Sequence, residues 1–308
     1  MSKQVQVRSI LKHFVAKEQS EGIGARVRRS VGSMQVRKFS PFLLLDHFNV
    51  TPPAGFPDHP HHGQETITYI MGGKVAHEDF TGCKGILNKG DLQFMTAGKA
   101  VCHSEMPVKM DNGEPLTGLQ LWVDLPTELK NCEPRYRDLR NEDIPIAKVS
   151  DGFTVDVISG KSYGVESLKE LAYTPVDLYI FRAKKAGAKF TQEIPSNYNV
   201  FIYVMNGSIS ISDRVFPQYS SIFFKTDGNA ISGVTSSNDV EFAIIGGKIL
   251  EQETVQHGPF VEETTEKLIK VFHNYENYTG GFERALDWQS SIRHGINEEE
   301  AKYHSNVI

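Results

Sequence analysis

The stretch TYIMGGKV at 68–75 returns as IYVMNGSI at 202–209, with Tyr69, Met71 and Gly73 matched by Tyr203, Met205 and Gly207 at an offset of 134. Downstream, LQFMTAG at 92–98 is echoed by SIFFKTDG at 221–228. Recurrence at this distance means two copies of one supersecondary unit, each a strand, a Gly turn, a second strand and another Gly turn. The copies are strands because the apolar residues alternate: in QETITYIM, Ile67, Tyr69 and Met71 face one way and Thr66, Thr68 and Ile70 the other. GDLQFMTAG (90–98), GLQLWVDL (118–125), DLYIFRAK (177–184), NVFIYVMNGSISIS (199–212), SSIFFKT (220–226) and VEFAIIGG (240–247) share the habit. Short strands separated by Gly, Pro, Asn or Asp predict an all-β chain of barrels or sandwiches.

Between the copies, PTELKNCEPRYRDLRNEDIPIAKVS (126–150) is polar, carries three prolines and lacks comparable alternation. It reads as the crossover. The expected division is an N-terminal domain over 1–130, a linker over 131–150 and a C-terminal domain over 151–308 that ends in a helical tail. In that tail the period changes: Leu268, Ile269, Phe272 and Tyr275 fall at helical spacing, with Thr264 or Thr265 to cap the start.

Composition excludes several classes. Net charge is −5 and no basic tract of five residues occurs, so direct nucleic-acid binding is not expected. The densest basic spot, Arg26, Arg28, Arg29, Arg37 and Lys38, reads first as a solvated face or edge strand. Cys83, Cys102 and Cys132 form no disulfide framework. MSKQVQVRSI shows no apolar leader core and no run is long enough to span a bilayer, so the expectation is an intracellular protein.

The chemistry concentrates in DHPHHGQETITYIMGG (58–73). On an extended segment His59 and His61 point to one side and can reach one ion, while His62 points away. AGKAVCHSEMP (97–107) offers His103 and Glu105 at the same spacing. Three imidazoles and one carboxylate leave open positions on an octahedral ion, which suits Fe(II) and, less selectively, Ni, Co, Mn or Cu. Cys102, preceding His103, faces away from that ion. Phe94 and Trp122 alternate on strands near the site and read as core, with pocket wall as the alternative.

Gly55-x3-His59-x-His61-x3-Glu65-x6-Gly72 resembles the first cupin motif, with a shortened gap after the first glycine. Gly90-x5-Thr96-x-Gly98-x4-His103 resembles the second, with Thr for the usual Pro and one extra residue before His. Together with AHEDF (76–80), HSEMP (103–107), GLQLWVDLP (118–126) and VQHGPFV (255–261), the chain resembles the pirin family over roughly residues 5–292. The resemblance implies a bicupin of two facing β-barrels. It implies one metal in the N-terminal barrel, usually iron although Ni, Co, Mn, Cu or Zn fit the donors, with ligands at His59, His61, His103 and Glu105. Counting along the repeat puts Glu193, Pro195, Gly233 and Thr235 at the matching positions of the second barrel, a set that cannot hold an ion.

Two departures stand out. His62 occupies a position where pirins often carry Arg, and is expected at the pocket rim as a group titrating near neutrality. Glu65 matches the metal-binding glutamate of ordinary cupins, but the family uses the position of Glu105, so Glu65 is expected to orient a ligand histidine from behind. Phe94 is placed with them at the rim.

The resemblance also implies quercetin 2,3-dioxygenase-type activity on a flavonol-like substrate with O2. In that reading Glu105 is both ligand and catalytic base. The alternative it implies is an iron-dependent transcription co-regulator in the nucleus or cytoplasm, binding transcription-factor proteins in a redox-dependent way, with Arg26 to Lys38 as a candidate contact surface. A monomer is expected.

Overall fold

The structure is a computed structural model that describes residues 5–22, 24–168 and 171–304; residues 1–4, part of the stretch read as lacking a leader, lie outside them. The chain forms two compact units. The N-terminal barrel unit comprises Glu18–Gly32, Phe42–Asn141 and the chain from Leu250 on; the C-terminal barrel unit comprises the chain through Lys17, Ser33–Pro41 and Glu142–Ile249.

The large sheet of the N-terminal unit runs in the order Arg135–Leu139, Leu92–Thr96, Gln64–Gly72, Leu116–Asp124, Phe42–Val50, Ala25–Arg29, Glu18–Glu21. That of the C-terminal unit runs Ile10–Val15, Ser220–Phe224, Tyr198–Asn206, Val240–Lys248, Val176–Ala183, Phe153–Ser159, Ile146–Ser150. Strands matched by the 134-residue repeat hold the same place: Gln64–Gly72 lies third in one sheet, Tyr198–Asn206 third in the other. The smaller sheets repeat as well. Phe56–His61, Val101–Lys109, Lys74–Asp79 and Lys84–Asn88 correspond to Lys189–Glu193, Ala230–Thr235, Ser208–Ile211 and Arg214–Pro217. The fold is all-β with two cupin domains, as the sequence predicted.

The units cross the expected boundaries at three places. Ile10–Val15, expected in the N-terminal domain, pairs antiparallel with Ser220–Phe224 in the C-terminal sheet. The tail from Leu250 joins the N-terminal unit instead of the C-terminal one. The stretch 131–150 is no linker: Arg135–Leu139 pairs with Leu92–Thr96, and Ile146–Ser150 pairs with Phe153–Ser159. In each case a strand edge is covered, which satisfies backbone groups that an open edge would leave bare.

In the tail, helix Thr265–Glu276 starts at Thr264, whose hydroxyl accepts from Lys267 N at 3.2 Å. Leu268 and Val271 are its buried residues, and they pack with Cys102, Phe260 and Phe282. Cys102 is therefore a packing residue, and burial pushes its thiol up to about 12. The C-terminal core centres on Phe181, Phe190 and Phe242, with Phe181 stacked on Phe242 at 4.9 Å. Among the described residues no helix is long and apolar enough to cross a membrane.

Candidate metal centre

His59 lies on the edge strand Phe56–His61, which pairs antiparallel with Val101–Lys109. The register sets His59 directly opposite His103, and a bulge between His103 and Glu105 brings Glu105 opposite Phe56. Directly opposed residues share a face, so two imidazoles from segments some forty residues apart meet. Pro57 and Pro60 are tolerated because this strand is an edge.

Two turns hold the arrangement. Gly63 ends the histidine strand at φ +72°, and a Cβ there would come within 2.0 Å of the Val261 carbonyl. Gly98 precedes the His103 strand at φ +52°, where a Cβ would come within 2.1 Å of the Cys132 carbonyl. Only glycine fits either place. The turns clasp each other: Gly63 N donates to Gly98 O at 2.8 Å and Ala97 N to Gln64 O at 3.0 Å. Buried Lys130 fastens the same turn, donating from Nζ to Asp124 and to the Gly63 carbonyl at 3.1 Å.

The three rings converge. His103 Nε2 stands 2.9 Å from His59 Nε2, and the His61 centroid lies 5.0 Å from each of the other two. One nitrogen from each of His59, His61 and His103 falls within 4.8 Å of the others, a group that can hold a metal ion. Nδ1 of His59 donates to Pro57 O at 2.9 Å, which leaves Nε2 as the lone-pair atom. His61 Nδ1 faces the Gln64 amide at 2.9 Å. Burial holds all three imidazoles neutral, His61 and His103 strongly so, and the neighbouring rings add to the effect in those two. Neutral imidazoles gathered this closely, with the Nε2 atoms of His59 and His103 facing each other, are the donors a divalent transition ion requires, so the residues fit the group.

Glu105 Oε2 lies 3.8 Å from His103 Nε2. Desolvation pushes its carboxyl up to about 7, against the pull of the Thr68 hydroxyl. Gln120 Nε2 approaches Glu105 Oε2 at 3.5 Å, and Trp122 stands edge-on to His61 at 5.2 Å. Gln120 and Trp122 are half-buried while their strand neighbours Leu119, Leu121 and Val123 are buried, so these two line the open side of the site. The Trp122 indole N–H is buried without a partner among the described residues.

Three expectations need correction. His62 does point away from His61, but it is no rim residue. It is 3% exposed, Nδ1 lies 2.7 Å from the Lys99 carbonyl and Nε2 lies 2.8 Å from Glu262, so it ties the histidine turn to the tail. Glu65 accepts from Thr96 Oγ1 at 2.7 Å on the face of its strand opposite Thr68. The tasks expected of it fall to Gln64 for His61 and to the Pro57 carbonyl for His59. Phe94 lies on the face opposite Gln93, and it is Gln93 that reaches His77, the residue paired with Glu105. Alternation at period two puts Glu65 and Phe94 on the face away from Thr68, and Phe94, placed at the rim above, is instead the core residue of its first reading.

Of the two other histidines in family motifs, His77 is buried and bonded to Gln93 at 2.9 Å, while His257 is exposed beside Phe272. The basic spot is largely neutralised at its start: Arg26 and Arg28 pair with Glu18, and Arg29 with Glu21 and Asp46. That removes much of the charge a co-regulator contact surface there would have used. Gln64, Gln120, Trp122, Asp124 and Lys130 were not singled out for the site from sequence, or, for Trp122, only as core with pocket wall second. Each acts through a partner distant in sequence or through an atom left bare.

Comparison with known proteins agrees with this geometry. A family model described as Pirin matches residues 24–123, and one described as Pirin C-terminal cupin domain matches 181–282. Pirin of Homo sapiens is 42% identical over 284 residues, covering 90% of this chain and 96% of that protein. A pirin-like protein of Solanum lycopersicum is 39% identical over 286 residues, covering 92% and 96%. Among solved structures, quercetin 2,3-dioxygenase from Acinetobacter baumannii superposes with a TM-score of 0.82 at 25% identity, covering 90% of this chain and 99% of that one. The bacterial pirin YhhW of Escherichia coli in complex with nickel(II) shares the fold, with a TM-score of 0.61 at 22% identity, covering 78% and 100%. With its histidines gathered in the barrel that the first of these matches spans, the chain belongs to the pirin family of the cupin superfamily.

Proposed function

We propose that this chain is a mononuclear metal-dependent oxygenase of the quercetin 2,3-dioxygenase type, using O2 on a flavonol-like substrate. His59, His61, His103 and Glu105 hold the ion, iron by preference. The observation that carries the reading is the convergence of two imidazole Nε2 atoms at 2.9 Å beside a buried carboxyl 3.8 Å from one of them. The A. baumannii quercetin 2,3-dioxygenase, alike over nearly its whole length, supports the substrate class.

A bound ion of this kind supplies open positions and a charge that acidifies a hydroxyl beside it. The chain does the rest. Glu105 takes the substrate hydroxyl proton on a carboxylate oxygen. Thr68 and Gln120 hold the carboxylate in place. Trp122 gives a planar substrate an aromatic wall, and its unpartnered indole N–H is a donor for an oxygen of the bound ligand. Pro57 and Gln64 fix the ring orientations of His59 and His61.

The test loads the protein separately with Fe, Cu, Ni, Co and Mn, confirms stoichiometry, and follows oxygen uptake with loss of flavonol absorbance. Turnover with at least the iron form is expected, and Glu105→Gln should abolish it. No turnover with any fully loaded form would sink the proposal.

A further inference from the structure

The C-terminal unit holds a cavity of about 1440 Å³. The hairpin 159–168, the strand positions 177 and 179, the segment 191–196 and the loop 226–229 enclose it. In sequence, Glu193 and Pro195 in its wall lie 134 residues after His59 and His61; in the strand register Glu193 stands opposite Ala230, and it is Phe190 that faces Gly233.

The chemistry of the wall is lopsided. Its carboxylates are Glu166, Asp177, Glu193 and Asp227, against Lys161 as the cation. Lys161 is taken by Glu166 at 2.9 Å, and Asp227 accepts from Ser9. Asp177 is 8% exposed and in no ion pair among the described residues; the hydroxyl of Tyr179 is its partner. Tyr179 is itself fixed, accepting from Lys161 N at 2.9 Å. At Gly160, φ +101°, an added Cβ would lie 2.4 Å from Asp177 Oδ1 and 2.3 Å from the Tyr179 oxygen, so the backbone wraps closely around this carboxyl. Gln192 locks the hairpin down, accepting from Ser162 at 2.7 Å and donating to the Lys161 carbonyl at 2.9 Å. Tyr163, at the rim, is held by Thr191 N at 2.9 Å with its backbone at φ +45°.

We propose that this cavity is a second ligand site, separate in its residues from the metal centre, that takes an organic ammonium ion. Asp177 is the counter-ion, Glu193 a second acceptor and Tyr163 an aromatic wall. A buried carboxyl in no ion pair, inside a net-negative cavity with an aromatic lining, favours a cation over an anion or an apolar ligand. Burial pushes the Asp177 carboxyl up to about 7, the mark of a group short of countercharge, which an ammonium would supply.

The test is calorimetric titration of the metal-loaded protein at low ionic strength, with spermidine as the probe and MgCl2 at matched ionic strength as the control. We expect saturable binding of one spermidine per chain, weakened about tenfold or more by Asp177→Asn and several-fold by Glu193→Gln, with metal content unchanged in both. Glu193 is exposed, so its variant decides the matter should Asp177→Asn fail to fold. Absence of saturation up to about 10 mM spermidine, binding that Glu193→Gln leaves untouched, or binding that MgCl2 abolishes at equal ionic strength overturns the proposal.

Discussion

Lys130→Met tests the clamp under the histidine turn. Lys130 is 0% exposed and Asp124 2%. The ammonium satisfies Asp124 Oδ1 and the Gly63 carbonyl, while Asp124 Oδ2 accepts from Gln252 Nε2 at 3.0 Å and Thr254 Oγ1 at 2.9 Å. Methionine fills the volume but takes the ammonium away from a buried carboxylate that keeps its bonds from Gln252 and Thr254. Breaking a buried pair in this way costs about 3–5 kcal/mol. Roughly 1 kcal/mol of that belongs to the lost bond at Gly63, where Leu125 N remains as a long 3.4 Å donor. Asp124→Leu should cost at least as much, since it takes the countercharge from a buried ammonium. The double variant removes both charges and should be less destabilised than the sum of the singles by about 2 kcal/mol or more. Urea unfolding read by tryptophan emission isolates the relevant unit, because Trp122 and Trp288 both belong to the metal-bearing one. Metal content should fall in Lys130→Met as well, since Gly63 follows His61 by two residues. A loss below about 1 kcal/mol, the range of an exposed ion pair, refutes the clamp.

Asp177 makes stability depend on pH in the opposite sense to a salt-bridged acid. Burial pushes its folded carboxyl up to about 7, against about 4 for an ordinary aspartate, so between these the folded state holds a proton the unfolded state has lost, and stability falls as pH rises through the window. The decline is of order 4 kcal/mol at most. Asp177→Asn should flatten it in urea unfolding followed by circular dichroism at pH 4.5, 6 and 8, and an unchanged slope counts against the assignment. Trp122→Phe removes a buried N–H that has no partner among the described residues, so unfolding free energy should change by no more than about 1 kcal/mol while KM for a flavonol rises; a KM that stays put removes the donor role. Gln64→Leu takes away the group facing His61 Nδ1 and should weaken metal binding by about 10–100-fold in competition with a chelating dye.

What the sequence disclosed and what it hid follow from how each signal is encoded. Local alternation is written in neighbouring residues, so the paired sheets, the repeat and the placement of His59 with His61 were legible. Phe42–Val50 carried no such signal because residues on both its faces are buried, and a continuous apolar run has no period to read. Phe56–His61 was legible only as an extended segment, and its edge position is what lets a strand carry Pro57 and Pro60. Glu65 was assigned by motif position, and it lies on the strand face opposite Thr68, which meets Glu105; Phe94, read first as core, is a core residue. His62 shows the other limit. Its direction followed from its neighbours, but its burial depends on Glu262, two hundred residues away, and on a tail that the sequence divided into the wrong unit. A motif therefore specifies which atoms converge on the ion. Groups that hold those atoms still, Lys130 and His62 among them, are set by long-range closure, and substitutions there should lower metal retention without removing a ligand atom.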